Sequence, residues 1–224
     1  MRNLNLKPFL FILVAFSALV WFAIATATGL NMKSLLDFMR PIPKVVTFDL
    51  ALIGFFMKWA WRWKWLQGWL IPFPDLNGTW QGHLQTSWKD AQGKTPPPIP
   101  VILTINQTFG RMSCVMRTAE MESHSYAEGF RIDTERQIRQ LCYSYTSKPK
   151  ASLRDRSTPH DGTTLFNITG KPVHKLEGEY WTQRQTIGTV TVTFLTKRFL
   201  DEFPSHSPLR PLSGSSIYSY GKKE

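Results

Sequence analysis

The sequence offers little with which to build a conventional catalytic or metal centre. It has 2 cysteines in 224 residues, Cys114 and Cys142, far apart and in no metal-ligand or CxxC spacing. Two cysteines do not make the disulfide framework of a small secreted domain. They fit two buried thiols in a reducing compartment, with a single disulfide as the alternative. The five histidines, His83, His124, His160, His174 and His206, include no HExxH pair. GxSxG and Walker signatures are also missing. His160-Asp161 lies in a stretch with Pro and Gly and reads as a turn. These absences point away from an enzyme, and no cofactor or metal is expected.

Acidic residues are in short supply. Lys+Arg number 27 against 16 Asp+Glu, a formal charge of +11. Residues 1–75 hold 8 basic and 3 acidic side chains, and the rest hold 19 and 13, so the excess is +5 and +6. No basic block stands out, which argues against a tail that coats a nucleic-acid polymer.

Charge is absent altogether between Lys7 and Lys33. The 23 residues 8–30 reach about 34 Å as a helix, enough for a hydrocarbon core of about 30 Å. A cleavable signal is the alternative, since Arg2 and Lys7 make a basic start and Ala25-Thr26-Ala27 resembles a cleavage site. The apolar run is longer than a typical signal core, and a second apolar segment follows, which favours an anchor. Ala25 and Gly29 form a small-xxx-small pair that would let helices approach.

The second segment is expected as a helix over about 45–69. Its end, Lys58 to Leu70, packs five tryptophans and three cations into thirteen residues. Trp61, Trp65 and Trp69 fall at i, i+4 and i+8, one helical stripe, and Lys58 and Arg62 form another. Tryptophan rings favour the headgroup level, and Lys and Arg stems lie along apolar surface with the charge lifted to water. These five residues are therefore expected at the membrane interface. Asp49 faces either a helix neighbour or water, or else lies near the opposite interface. The basic residues at both ends favour a multi-pass membrane protein with both termini cytoplasmic.

Past a Pro-containing connector, 72–75, the period changes from 3.6 to 2. Strands are expected over 78–88, 99–108, 111–120, 123–133, 137–147, 163–171, 176–184 and 188–198. Turns are expected at Phe109-Gly110, at Thr186-Ile187-Gly188 and across 157–162, and 133–141 has a short helix as its alternative. The fold class is thus two N-terminal transmembrane α-helices, within 1–71, followed by a mainly antiparallel, eight-stranded, lipocalin-like β-barrel over 76–199. A β-sandwich is the structural rival. Residues 200–224, rich in Pro, Ser and Gly, read as a flexible tail.

Alternation places Gly178, Tyr180, Thr182 and Arg184 on one face of a strand. Arg139, Leu141, Tyr143 and Tyr145 share a face of another, and Arg111 and Arg117 share a face of a third. Arg can fork onto phosphate and Tyr can stack on a base. Arg117, Arg139, Tyr143, Tyr145, Tyr180, Thr182 and Arg184 are the candidate ligand contacts, with ordinary barrel exterior as the alternative. Trp80, two residues after Gly78, reads as a core plug at one end of the barrel.

The two membrane segments, the stretch LNGTWQGHL and the final hairpin GEYWTQRQTIGTVTVTFL together resemble a family of bacterial CBASS antiphage defence. It is that of the SMODS-associating two-transmembrane, β-strand-rich effectors. The resemblance covers the chain except its tail. It implies a compact barrel that binds a cyclic dinucleotide, the activating ligand, made by a partner nucleotidyltransferase during infection. It further implies assembly into a homo-oligomer in the lipid bilayer of the bacterial inner membrane, membrane disruption and death of the infected cell. It fixes no individual ligand residue. The rival reading is a membrane-tethered, lipocalin-like carrier of an apolar ligand.

Overall fold

The computed structural model describes residues 6–29, 34–89, 92–153 and 158–203. Helix α1 spans Leu6–Ala27, a short α2 spans Leu35–Met39, and α3 spans Ile42–Lys58. The hydroxyls of Thr26 and Thr28 donate back to carbonyls one turn earlier, so they add no unpaired polar group to an apolar helix. Ser34 caps α2 by accepting from the Asp37 N–H. Pro43 sits in the first turn of α3, where a missing N–H costs nothing.

α1 and α3 run antiparallel. Phe9 meets Phe56 edge-on at 5.3 Å, and the Ser17 hydroxyl donates to Asp49 Oδ2 at 2.8 Å. Asp49 therefore faces its helix neighbour, and its Oδ1 is buried without a hydrogen-bond partner among the described residues. Ala25 is buried, but Gly29 lies beyond the helix end at φ +61° and takes no part in a small-residue packing stripe.

Among the described residues, one helix, Lys7–Ala27, is long and apolar enough to cross a membrane, with a mean hydropathy of 2.5. α3 has 17 residues, about 26 Å, somewhat less than a hydrocarbon core. The helix expected to run to 69 stops at Lys58. Trp59 leaves the helical conformation, Ala60–Arg62 makes one 3-10 turn, and Gly68 at φ +90° helps fold the chain back. The three tryptophans therefore share no stripe. Trp61 is 1% exposed, whereas Trp65 and Trp69 are 68% and 59% exposed. The cause is a competing apolar surface. Trp61 packs with Phe56, Leu66, Leu70, Ile71 and Phe73 in one cluster under the barrel.

The strands are β1 (Gly78–Thr86), β2 (Ile99–Gln107), β3 (Met112–Arg117), β4 (Met121–Asp133), β5 (Ile138–Pro149), β6 (His160–Thr169), β7 (Lys175–Thr182) and β8 (Ile187–Thr196). Each pairs antiparallel with the next, and β8 pairs with β1, so the sheet closes into an eight-stranded barrel with no free edge. The segment 133–141 is not helical: β5 begins at Ile138, held between β4 and β6. The last turn lies ahead of Ile187, and β6 starts at His160, inside the expected loop.

One end of the barrel is plugged. Trp80 is buried and its Nε1 donates to the Leu76 carbonyl at 3.0 Å. Leu103, Leu141, Phe166 and Leu176 fill the interior beside it. This closed end rests on the helices. Phe109, from the β2–β3 turn, meets Phe56 at 5.2 Å, and Phe130 of β4 stacks on Phe73 at 5.3 Å. Arg62 reaches the Gln107 carbonyl at 3.5 Å and lies over the Trp61 ring.

The connector is pinned as well as short. Gln107, 1% exposed, accepts from the Leu76 N–H at 2.8 Å and donates to the Pro74 carbonyl at 3.1 Å. Asn77 closes the clamp by accepting from the Gln107 N–H and donating to its carbonyl. Gln107→Leu keeps the bulk and strands two buried backbone groups. We expect a loss of roughly 1–3 kcal/mol, read as a lower denaturation midpoint, with little change for a neutral exposed control such as Gln183→Ala.

Both cysteines are free. Cys114 points inward, as its neighbour Met112 does, and Cys142 outward, between inward Leu141 and Tyr143, so the wall separates them.

Candidate functional site

The end opposite the helices is open. A cavity of about 1000 Å³ enters there, at the top of the range for small-molecule sites. Leu84 and Met116 give it an apolar base. Tyr145, Tyr180, Thr86, Ser123 and Ser147 add hydroxyls to its wall, and His160, Thr182 and Arg184 add further polar groups. Trp88 and the run Pro96–Pro98 form part of the rim.

Two glycines make room for the tyrosines. A Cβ at Gly162 would lie 2.5 Å from the Tyr145 hydroxyl oxygen, and one at Gly188 would lie 2.5 Å from the Tyr180 ring. Each glycine pairs across the ladder with the tyrosine it seats. The ring thus lies over a neighbour that has no side chain.

Burial pushes the Tyr145 phenol up to about 12, and the Tyr180 phenol nearby adds to the effect. Burial also raises Tyr180, with a hydrogen bond to Thr86 acting the other way. Both are neutral at physiological pH, so each presents a ring and an O–H rather than a negative charge. Burial pulls His160 below its ordinary 6.5, and the neighbouring Arg184 guanidinium pulls the same way. The rim therefore combines one permanent cation, Arg184, with a histidine that is neutral at pH 7, and one acidic side chain, Glu120, lines the cavity as well. That arrangement suits a ligand carrying both negative charge and flat rings.

The lowered His160 value fixes a sign. Between pH 6.5 and the folded-state value the unfolded chain binds more protons, so this group's contribution makes stability fall as pH drops. An anionic ligand at the mouth would favour the protonated ring. The ligand-induced rise in unfolding midpoint should therefore grow from pH 7.5 to pH 6, and His160→Gln should flatten that dependence. Midpoints measured with and without ligand across this range check it.

Of the ligand contacts expected from sequence, Tyr145, Tyr180, Thr182 and Arg184 come together at the mouth. Arg184 lies in the β7–β8 turn just past the strand. Tyr143 points inward but lies in the packed interior, 2% exposed, where its hydroxyl has no partner among the described residues. Arg139 shares that inward phase at the wrong end of the barrel, and it donates to the Gly170 carbonyl at 3.3 Å. Arg117 alternates with inward-facing Met116, so it lies outside, paired with Glu122 at 2.7 Å. Alternation fixes a side of the wall, not a height along it.

His160, Thr86, Ser123, Ser147 and Trp88 were missed. His160 was legible in principle: with β6 extended three residues upstream, His160 falls in phase with Gly162, Thr164 and Phe166. Among the described residues, no group of three or more His, Cys, Asp or Glu gathers to hold a metal ion.

A closed antiparallel barrel with a plugged base and one polar, cation-bearing mouth is a small-ligand-binding module. Residues 71–193 match the family model described as Cap15, cyclic dinucleotide receptor domain. The match covers more than half of the chain, and the chain belongs to that family. No curated protein matches it.

Proposed function

We propose that the mouth cavity binds a cyclic dinucleotide, and that the chain is a membrane-anchored, non-enzymatic effector of CBASS antiphage defence. The carrying observation is that the family match, residues 71–193, takes in β1 to β7 and most of β8, around a cavity whose lining includes one arginine, one histidine and two neutral tyrosines. A cyclic dinucleotide brings two phosphates and two bases. Arg184 suits a phosphate, and Tyr145 and Tyr180 suit rings or ring edges. A carrier of apolar ligands fits less well: the lower interior is filled by side chains, and the open part, although largely apolar, carries Arg184, His160 and several hydroxyls that such a ligand would leave unpaired.

The contacts support a division of labour. α1 and α3 form an antiparallel hairpin that holds the chain in the inner membrane, with both termini and the barrel in the cytosol. Trp59, Trp63, Trp65 and Trp69 are exposed around the helix–barrel junction and lie at the headgroup level. Lys58 sits over Trp59 at 4.4 Å, with its charge toward lipid phosphate. A partner nucleotidyltransferase supplies the messenger. The ligand then favours a state in which several chains assemble side by side and disrupt the bilayer. It does so only if it binds that state more tightly than the resting one.

The test is a thermal titration of the full chain in detergent micelles, with a panel of cyclic dinucleotides and fatty acids. A ligand of the folded state raises the midpoint with concentration. We expect a rise with at least one cyclic dinucleotide and none with fatty acids. A rise with fatty acids alone would transfer the protein to the carrier class.

A further inference from the structure

The chain does not leave the barrel after β8. Lys197 pairs with Asp75 and donates to the Asn77 carbonyl, both at 3.2 Å, at the closed end. The Thr79 hydroxyl then donates to the Arg198 carbonyl at 2.7 Å and accepts from the Leu200 N–H at 3.0 Å. The Leu200 carbonyl receives two donors, Thr104 Oγ1 at 2.9 Å and Arg117 Nη1 at 3.3 Å. Thr79 and Thr104 are direct cross-strand neighbours, and Arg117 pairs with Ile102, two residues nearer the mouth. The anchors thus form a diagonal that climbs the outside of β1, β2 and β3.

Burial agrees with that path. Thr79, Ile102 and Thr104 point away from the barrel interior, yet they are 0%, 1% and 9% exposed. An outer wall becomes that dry only under a cover. Three residues beyond Leu200, Phe203 reaches the open end and forms part of the cavity wall. The segment lies outside the matched family span, which ends at residue 193.

We propose that Lys197–Phe203 is a strap that completes the ligand site, held on the outer wall by Thr79, Thr104 and Arg117 and presenting Phe203 as a ring against which one base of the bound cyclic dinucleotide packs. The inference rests on the ligand class proposed above. It also gives Arg117 a role. Its guanidinium, oriented by Glu122, fixes where the strap turns toward the mouth, and it acts on the ligand only through Phe203.

The test uses the full chain in detergent micelles and the cyclic dinucleotide that shifts the wild-type midpoint most. Phe203→Ala should weaken binding roughly five- to a hundredfold, the usual range for losing a base–aromatic contact. Phe203→Tyr should bind like wild type. Thr104→Val leaves the cavity lining intact and removes one strap anchor, and it should weaken binding by a smaller factor. Unchanged affinity in Phe203→Ala would overturn the strap proposal and leave the ligand class standing, whether or not the ligand-free midpoint falls. No shift of the wild type by any cyclic dinucleotide would overturn both.

Discussion

Trp61→Ala should lower the stability of the detergent-solubilised chain by about 3–5 kcal/mol, the usual cost of deleting a fully buried large aromatic. Trp65→Ala and Trp69→Ala should stay within roughly 0.5 kcal/mol, as exposed sites do. The contrast follows from the break after Lys58. Trp61 is enclosed by Phe56, Ala60, Leu66, Leu70 and Ile71, with the Phe73 ring 6.2 Å away. No neighbour can fill its volume without moving the connector, which Gln107 holds in place. Membrane perturbation should show the opposite order of mechanism. Trp65→Ala and Trp69→Ala should weaken association with lipid vesicles while leaving ligand binding intact. Trp61→Ala should leave the ligand site formed but uncouple it from the helices. Equal, small stability losses at all three positions would mean that Trp61 faces lipid as its neighbours do.

The second large effect is expected at Arg184. Arg184→Ala should weaken cyclic dinucleotide binding roughly tenfold to a hundredfold, the worth of a charge-assisted hydrogen bond lost at a phosphate. Arg184→Lys should fall between, because an ammonium keeps the charge but cannot fork onto two oxygens. The residue is exposed in the β7–β8 turn, so the ligand-free midpoint should hardly move. Binding isotherms at two salt concentrations separate the contributions, since the wild type should lose more affinity in salt than Arg184→Ala. Identical affinity in the two chains would remove Arg184 from the site. The phosphate contact would then have to come from elsewhere on the rim.

The barrel was legible because period-2 alternation survives any tertiary context that keeps one face buried. All eight expected runs contain an observed strand or most of one. Tyr145, Tyr180 and Thr182 followed from the same alternation. Arg139 and Arg117 did not, for two separate reasons. Arg139 has the right phase and the wrong end, which only the ladder register reveals. Arg117 has the wrong phase, set by inward-facing Cys114 and Met116. The tryptophan stretch misled for a third reason. A 3.6-residue stripe is a local property, and the apolar base of the barrel offered Trp61 a better neighbour than lipid. Residues 200–203 looked like the start of a tail because the anchors of Leu200, Thr79, Thr104 and Arg117, are about 80 to 120 residues away in sequence. Most of the tail expected over 200–224 lies outside the described residues.

The Trp80 plug has a consequence for traffic. The barrel is a blind tube, so a molecule in the cavity arrives and departs by the same opening. That opening faces away from the helices. Chains standing shoulder to shoulder in one bilayer would crowd at their bases and still leave every doorway on the free side. A messenger could then be collected by, or stripped from, any member of such a crowd without dismantling it. The lifetime of the crowd would answer to the supply of messenger in the surrounding fluid.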